Sequence, residues 1–139
     1  MRLYAARPTS AYGTALDSRQ LAVLRRRFPT AELADPAKLW TSNEAWLGEW
    51  PEVLTQLDLL ALWAGEDGQL GAGVLRELAD AVAARLPIMA LDPEGRLCHF
   101  GGFERGWGLY VPRRRVGQLL YGPRVARAEL AAFCRTHRA

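Results

Sequence analysis

The stretch from Leu57 to Leu91 constrains the fold most, because it reads as a strand, a glycine-rich acidic loop, a helix and a second strand. Its first part, LDLLALW, is an almost unbroken apolar run, typical of a parallel strand covered on both faces. From Val74 onward apolar residues recur at helical spacing, and Pro87 is expected to end this helix before the strand IMAL. We therefore predict a βαβ unit, in which a ligand would bind beyond the carboxyl ends of the strands.

The residues before this unit repeat the alternation of strand and helix. RLYAA, near the N-terminus, predicts a first strand, and the loop RPTSAYGT leads to a helix that Asp17 or Ser18 could cap. Pro29 is expected to end that helix, and residues 31–34 form a weak second strand. This order predicts a right-handed crossover and a parallel pair of strands.

The connection over residues 38–56 is rich in tryptophan. A short helix capped by Ser42 or Asn43 is expected there, and Pro51 is expected to start a further turn. The indole rings could line a pocket for a flat ring, or they could pack this long connection onto the sheet. Both interpretations stay open for the three tryptophans concerned, which are Trp40, Trp46 and Trp50.

The last third of the chain predicts an addition to the core. DPEG is a turn signal between the apolar runs IMAL and LCHF, so a hairpin at the sheet edge is expected. LYVP could be one more strand, and residues 121–137 read as a terminal helix. We predict a single α/β domain over residues 1–139 with a flavodoxin- or Rossmann-like three-layer fold. Its sheet is expected to be mainly parallel with four or five strands, followed by the C-terminal hairpin or strand and the terminal helix.

Charge is unevenly distributed along the chain. From Arg96 onward, nine arginines against two glutamates give +7, and since the whole chain carries +3, the first 95 residues carry −4. Such a basic segment can attract nucleic acid. However, the chain has 17 arginines and one lysine, a bias that also arises from genome composition. A solvated basic face is therefore favoured, and nucleic acid is not the expected partner.

Several classes of protein are disfavoured by composition. No apolar run approaches the ~20 residues that span a bilayer, and the start MRLYAARP lacks the apolar stretch of a signal peptide. The only cysteines, Cys98 and Cys134, have no metal-ligand spacing, so neither a metal nor a cofactor is expected. Few cysteines also agree with a reduced cytoplasmic location.

Polar and glycine residues mark two candidate ligand-binding segments. Loops after a first parallel strand commonly bind phosphate through hydroxyls and helix N-terminal N–H groups, and arginine adds a bidentate fork for phosphate oxygens. The glycines before the second predicted helix suit a close approach of backbone to a ligand. An ordinary polar surface loop stays open for the first segment. The candidates are Arg7, Thr9, Ser10 and Arg19 in the first segment and Gly71 and Gly73 in the second.

Several short motifs resemble those of the nucleoside 2-deoxyribosyltransferase-like family. They are YAARP at residues 4–8, the dipeptide Asp35-Pro36, Asp58 on the third strand, and the run ELA that begins at Glu77. The resemblance covers roughly residues 1–91. The basic extension over residues 92–139 lies outside it.

The resemblance implies a mechanism and roles for particular residues. In that family a glutamate attacks the anomeric carbon of a deoxynucleoside, and a second base or water resolves the glycosyl-enzyme ester. By resemblance, Glu77 is this nucleophile, Tyr4 helps hold it, and Asp58 contributes to the nucleoside site. Asp67 or Glu66 could protonate the departing base. Related nucleotide N-glycosidases also use the loop after the first strand for a 5′-phosphate.

The spacing around Glu77 agrees with the family on one side only. Family glutamates follow the second glycine sooner, whereas Glu77 comes four residues after Gly73. On the other side, the ten residues from Glu77 to Pro87 match the family's usual spacing. The downstream count has more weight because the apolar stripe fixes the helix, while loops absorb insertions. The other interpretation of Glu77 is a solvated residue that the helix dipole favours near the N-terminus.

We therefore predict a protein that cleaves the N-glycosidic bond of a nucleoside or nucleotide, or transfers its deoxyribosyl group, through Glu77. A non-catalytic nucleotide-sensing module stays open as the alternative, and nucleic-acid binding through the C-terminal arginines ranks last. Relatives of this fold often assemble, so a homodimer or larger homo-oligomer is expected.

Overall fold

A computed structural model of the chain describes residues 1–67 and 70–99. Strands and helices alternate along it. The strands are β1 (Arg2–Ala6), β2 (Glu32–Ala34), β3 (Leu59–Leu62), β4 (Ile88–Leu91) and β5 (Leu97–His99). The helices are α1 (Ala15–Arg27), α2 (Pro36–Leu39), α3 (Asn43–Thr55) and α4 (Ala72–Ala83), and a 3₁₀ turn covers Thr9–Ala11.

The five strands form one sheet in the order β2-β1-β3-β4-β5. The first four are parallel, and β5 runs antiparallel to β4, so the predicted hairpin at DPEG is confirmed. The predicted α/β three-layer fold with a mainly parallel sheet is also confirmed. After β1 the chain continues to β2 on one side of this strand, and after β3 it continues to β4 in the opposite direction across the sheet. A topological switch point therefore lies between β1 and β3.

Each face of the sheet carries its own core, as the alternation of side chains along a strand requires. On one face, α1 packs through Leu24 against residues such as Leu3 and Trp63. On the other face, α3 and α4 pack through residues such as Trp50 and Leu78. All four residues of β3 are buried, as the apolar run LDLLALW predicts. The two cores enclose the sheet between layers of helices.

The helix α1 begins earlier than its predicted cap. Thr14 is the N-cap, and its Oγ1 accepts the backbone N–H of Asp17 at 3.2 Å, so the prediction of Asp17 or Ser18 as the cap is wrong. The side chain of Asp17 instead turns inward and is buried. Ser42 caps α3 by accepting the N–H of Ala45, which resolves the choice between Ser42 and Asn43.

Two prolines act differently from the prediction. Pro51 lies inside α3 and does not start a new turn. A proline in a helix costs about 3 kcal/mol, but Trp50 and Leu54 on either side pack into the core and hold the helix together. The helix α4 ends at Ala83, before Pro87 is reached, and Arg85 adopts a positive φ of 57° in the turn that follows.

The predicted strand LYVP and the predicted terminal helix lie outside the described residues. So does most of the basic extension, of which only residues 92–99 are described. Within residues 1–67 and 70–99, no helix combines the length and apolar character needed to cross a membrane.

Candidate functional site

A cavity of about 740 Å³ opens at the carboxyl edge of the sheet, beside the switch point. This volume falls in the range of small-molecule sites. Among the residues that the structure describes, its wall combines aromatic rings, hydroxyls and one acidic side chain. The wall includes Arg7, Pro8, Thr9 and Tyr12 after β1, Pro36, Trp40, Ser42 and Trp46 from α2 to α3, and Leu70, Gly71, Gly73 and Glu77 from α4 and the loop before it.

Glu77 projects from the second turn of α4 into this cavity wall. It lies on the inner side of the helix with Val74, Leu78 and Ala81, and only 4% of it is exposed. Its Oε2 accepts hydrogen bonds from the Tyr4 hydroxyl and from Trp46 Nε1, the latter at 3.1 Å. Within the described part of the chain, Oε1 accepts no hydrogen bond. One carboxylate oxygen is therefore fixed by the protein, and the other has no hydrogen-bond donor among the described residues.

Tyr4 is held in place by aromatic packing. Its ring centroid lies 4.9 Å from that of Trp50 and 6.2 Å from that of Trp40, both in tilted arrangements. Burial and the nearby Glu77 carboxylate raise the pKa of Tyr4 above its ordinary value, because both disfavour a phenolate. Tyr4 thus stays protonated and acts as a permanent donor to Glu77.

The proton equilibrium of Glu77 is shifted toward neutral pH. Burial raises the pKa of its carboxyl to about 7, and the charge of Asp80 acts in the same direction. The hydrogen bonds from Tyr4 and Trp46 and the charge of Arg7 oppose this rise. At neutral pH the group is therefore present both as a carboxylate, which can act as a nucleophile or base, and as an acid.

Of the three tryptophans in the connection over residues 38–56, some pack in the core and some line the cavity. Trp50 is in the core and donates to Asp80 at 3.0 Å, whereas Trp46 is half-buried in the cavity wall. Trp40 does both, since it belongs to the core and lines the cavity. Each of the two open interpretations thus applies to part of the set.

Arg7 lies in the cavity wall but does not offer the predicted fork for phosphate. Its guanidinium donates to Asp17 Oδ1 and Oδ2 at 2.8 and 3.2 Å, to Asp35 Oδ1 at 2.5 Å and to the Ala5 carbonyl at 3.1 Å. Four of its five N–H groups are therefore engaged within the chain. Because its charge is neutralised by two buried carboxylates, Arg7 ties β1 to α1 and to the start of α2.

The remaining residues of the predicted phosphate segment are spread over the surface. Thr9 is exposed at the cavity rim, in the 3₁₀ turn. Ser10 is also exposed, but it does not belong to the cavity wall. Arg19 is exposed on α1 and likewise lies outside the wall. Of the four residues proposed for phosphate, Arg7 and Thr9 therefore lie in the cavity wall, and Arg7 is largely engaged within the chain.

Both predicted glycines line the cavity. Gly71 is the N-cap of α4 and has a φ of 79°, a backbone conformation that residues other than glycine rarely adopt. Gly73 lies against Trp46, where an added Cβ would be 3.7 Å from the indole. Gly71 thus sets the start of the helix, and with it the direction in which Glu77 points.

The predicted aspartates are not brought to Glu77. Asp58 precedes β3 and accepts the backbone N–H of Arg2 at 2.8 Å, at the amino edge of the sheet. This edge is opposite the cavity, so the predicted contribution of Asp58 to the nucleoside site is wrong. Glu66 and Asp67 are exposed in the loop after β3, and neither belongs to the cavity wall.

A buried cluster around Arg7 was missed by the sequence reasoning. Asp17 Oδ1 also accepts the indole N–H of Trp63 at 3.1 Å, and Asp35 accepts the backbone N–H of Ala37 at the start of α2. The guanidinium of Arg7 lies 4.6 Å from the Tyr12 ring centroid and 5.4 Å from that of Trp63. A signal existed in α1, because Asp17 shares a helical stripe with buried Gln20 and Leu24.

No candidate metal centre is found within the described ranges: no three side chains of His, Cys, Asp or Glu come together there as ligands.

Comparison with known proteins identifies a shared fold and nothing further. No family model matches the chain, and neither does any curated protein. Among solved structures, the chain is similar to a conserved protein from Enterococcus faecalis V583, with 16% identity over 98% of each chain and a TM-score of 0.53. At this identity the likeness shows a shared fold and carries no function.

Proposed function

We propose that this protein cleaves the N-glycosidic bond of a nucleoside or nucleotide, or transfers its deoxyribosyl group, with Glu77 as the nucleophile. One observation carries the proposal. The Glu77 carboxyl is buried in the cavity wall at the carboxyl edge of the sheet, where Tyr4 and Trp46 both donate to Oε2 and Oε1 accepts no hydrogen bond from the described residues. The resemblance of the short motifs to the nucleoside 2-deoxyribosyltransferase-like family supports the same roles for Glu77 and Tyr4.

The chemistry follows from this arrangement. Departure of the base leaves positive charge on the sugar ring, which a nearby carboxylate stabilises and can capture as an ester. The donors on Oε2 hold the carboxylate in one orientation, so that Oε1 can approach the anomeric carbon without searching through rotamers. The Trp46 ring and the other aromatic groups of the wall suit a flat base.

The pKa of Glu77 sets the pH dependence of this reaction. Only the ionised carboxylate is a nucleophile, and the pKa of the group is raised to about 7. The rate in the free protein is therefore expected to rise with pH and to reach half of its plateau near pH 7. A rate profile of kcat/KM between pH 5 and 9 measures this midpoint.

Base release from a panel of deoxynucleosides and their 5′-monophosphates, with neutral and N-alkylated bases, followed by chromatography, tests the proposal. Glu77→Gln keeps an oxygen that accepts from Tyr4 and Trp46 but removes the nucleophile, so release should fall at least ~1000-fold. Glu52→Gln is the matched control, because Glu52 is exposed on α3 and outside the cavity wall. Equal activity of Glu77→Gln and the native protein, or no release from any member of the panel, would refute the proposal.

A nucleotide-sensing module that binds without chemistry is the second candidate. It is favoured by the position of Glu66 and Asp67, since neither of the acids expected to protonate the base lies in the cavity wall. A sensor would be stabilised by its ligand by about 2.7 kcal/mol at 100 times the dissociation constant. Stabilisation of the native protein by a nucleotide that is recovered intact would identify this function.

A homo-oligomer and a cytoplasmic location belong to the same proposal. Leu47 is 46% exposed in the cavity wall, and Leu39 on α2 is 40% exposed, so apolar surface is present near the site. Light scattering on the purified protein measures the assembly state. A monomer at all concentrations would remove the oligomer from the proposal and leave the chemistry of Glu77 unaffected.

A further inference from the structure

The cavity wall is poor in acids that could protonate a departing base. Among its described residues, Glu77 carries the only carboxyl group, and that group is the proposed nucleophile. Tyr12 is the phenol that the described part of the chain places in the wall, and burial raises its pKa to about 12, which makes it a weak acid at neutral pH. The hydroxyls of Thr9, Thr41 and Ser42 are weaker acids still.

The charges around the cavity favour a cation. Arg7 in the wall is paired with Asp17 and Asp35, so this buried cluster carries one positive and two negative charges. An ionised Glu77 adds a further negative charge, and the four groups together carry −2. In a site of low dielectric constant, such a surplus attracts a positively charged ligand and repels an anion.

The aromatic rings of the wall already hold cations of the chain itself. The guanidinium of Arg7 lies 4.6 Å from the ring centroid of Tyr12, and that of Arg76 lies 5.7 Å from the ring of Trp46. Arg76 is in turn neutralised by Asp80, with 3.9 Å between the charged atoms. Flat cations stack on such faces through the ring quadrupole. These contacts show that the rings of this wall accept planar cations, and a planar, positively charged base has the same chemistry.

From these observations we propose that the substrates of this site are N-glycosides whose base already carries a positive charge, such as pyridinium or N7-alkylpurinium nucleosides. This inference rests on the function proposed above and specifies its substrate class. A cationic base needs no proton in order to leave. The scarcity of acids in the wall, the negative surplus and the aromatic faces then all serve one substrate.

The reaction balances without a general acid. Glu77 Oε1 forms a bond to the anomeric carbon as the bond from this carbon to the ring nitrogen breaks. The electron pair of the broken bond goes to the nitrogen and cancels its positive charge, so the base leaves as a neutral molecule. Water then attacks the anomeric carbon, the ester bond breaks to restore the Glu77 carboxylate, and the proton of the water goes to solvent.

A pair of substrates that differ by one methyl group tests the inference. The full chain is assayed with 2′-deoxyguanosine and with N7-methyl-2′-deoxyguanosine, which carries the positive charge. Because the methylated nucleoside is intrinsically more labile, each enzymatic rate is divided by the uncatalysed rate of the same compound. A general acid would raise this ratio for the neutral substrate alone, by about 10²–10⁴.

We expect the ratio for the cationic substrate to equal or exceed that for the neutral one, and both to be lost in Glu77→Gln. A larger ratio for 2′-deoxyguanosine would overturn the inference while leaving the proposed N-glycosidic activity intact. Release from neither compound, nor from any other member of the panel, would refute the proposed function itself. A pyridinium 2′-deoxynucleoside keeps its positive charge at every pH, so its kcat/KM should rise with pH to a plateau, and a second, falling limb would reveal an acid and contradict the inference.

Discussion

Two buried polar clusters lie close together at the carboxyl edge of the sheet, and they are built in opposite ways. Around Arg7, a guanidinium is enclosed by the carboxylates of Asp17 and Asp35, so charges of both signs meet. Around Glu77, a carboxyl group meets only neutral donors, the hydroxyl of Tyr4 and an indole N–H. Both clusters are shielded from solvent, but only the first contains its own counter-charge.

The two clusters show how one fold holds an ion pair and a titratable carboxyl side by side. In the cluster around Arg7, an ion pair compensates the loss of hydration and joins three elements of the fold. Around Glu77, neutral hydrogen bonds compensate the loss of hydration only in part, and burial therefore raises the pKa of Glu77 to about 7. The first cluster is suited to stability, and the second is suited to a reaction at neutral pH.

Breaking the first cluster should have the largest effect on stability. Arg7→Met leaves Asp17 and Asp35 buried without their counter-charge, so the free energy of unfolding should fall by about 3–5 kcal/mol at pH 7. Urea unfolding followed by tryptophan fluorescence measures the loss. Arg19→Met is the matched control, because Arg19 is exposed on α1, and its effect should stay within about 0.5 kcal/mol.

A rescue variant separates the loss of the counter-charge from the loss of packing. Adding Asp17→Asn and Asp35→Asn to Arg7→Met removes the uncompensated charges but keeps oxygens that can accept from Trp63 and from the start of α2. The triple variant should therefore recover more than half of the lost stability. If Arg7→Met alone is as stable as the native protein, the cluster does not contribute as an ion pair.

The second cluster should reveal itself through the pH dependence of stability. The folded pKa of Glu77, about 7, lies above its ordinary value of 4.5. The folded state thus binds a proton more tightly, so the stabilisation is present below pH 4.5 and is lost as the pH rises through 7. Relative to Glu77→Gln, the native protein should lose about 3 kcal/mol between pH 4.5 and pH 8.

Unfolding free energies of the two proteins, measured at intervals across this range, give the difference directly. Other titrating groups cancel in the subtraction, since both proteins contain them. The same experiment with Glu52→Gln should give a flat difference, because Glu52 is exposed. A flat difference for Glu77→Gln as well would mean that Glu77 has an ordinary pKa in the folded protein.

The sequence predicts the strands and helices that carry these clusters better than the side-chain contacts within them. The unbroken apolar run of β3 and the apolar stripe of α4 both depend on local periodicity, and the structure has both. Glu77 could be placed because the stripe that includes Leu78 fixes its position on the helix. Its distance from the glycines was a poorer guide, since α4 already begins at Ala72, within the glycine segment.

Contacts between distant parts of the chain could not be predicted in this way. The sequence predicts Arg7 as a phosphate ligand, because nothing local shows that Asp17 and Asp35 converge on it from two other elements. Asp58 was assigned to the site by resemblance alone, although a residue that precedes a parallel strand lies at the edge opposite the ligand. The donation from Trp46 to Glu77 joins two helices and likewise leaves no periodic signal.

The two donors to Glu77 should differ in their effect on its proton. Tyr4→Phe removes a fully buried hydroxyl that favours the ionised carboxyl, so the pKa of Glu77 should rise further and the pH midpoint of the stability difference should move up with it. The cost should be about 1.5–3 kcal/mol at pH 8, where the bond is made to a charge, and nearer to 1 kcal/mol at pH 5. The pH series described for Glu77→Gln measures both quantities.

Trp46→Phe should shift the midpoint in the same direction but by less, because the indole is half-buried and water can replace its N–H. Tyr12→Phe is the control, since it removes a hydroxyl from the same cavity wall that donates no hydrogen bond to Glu77. Its midpoint should stay at that of the native protein. Equal shifts for Tyr4→Phe and Tyr12→Phe would show that Glu77 responds to the polarity of the cavity as a whole. The two neutral donors would then not be what distinguishes this cluster from the one around Arg7.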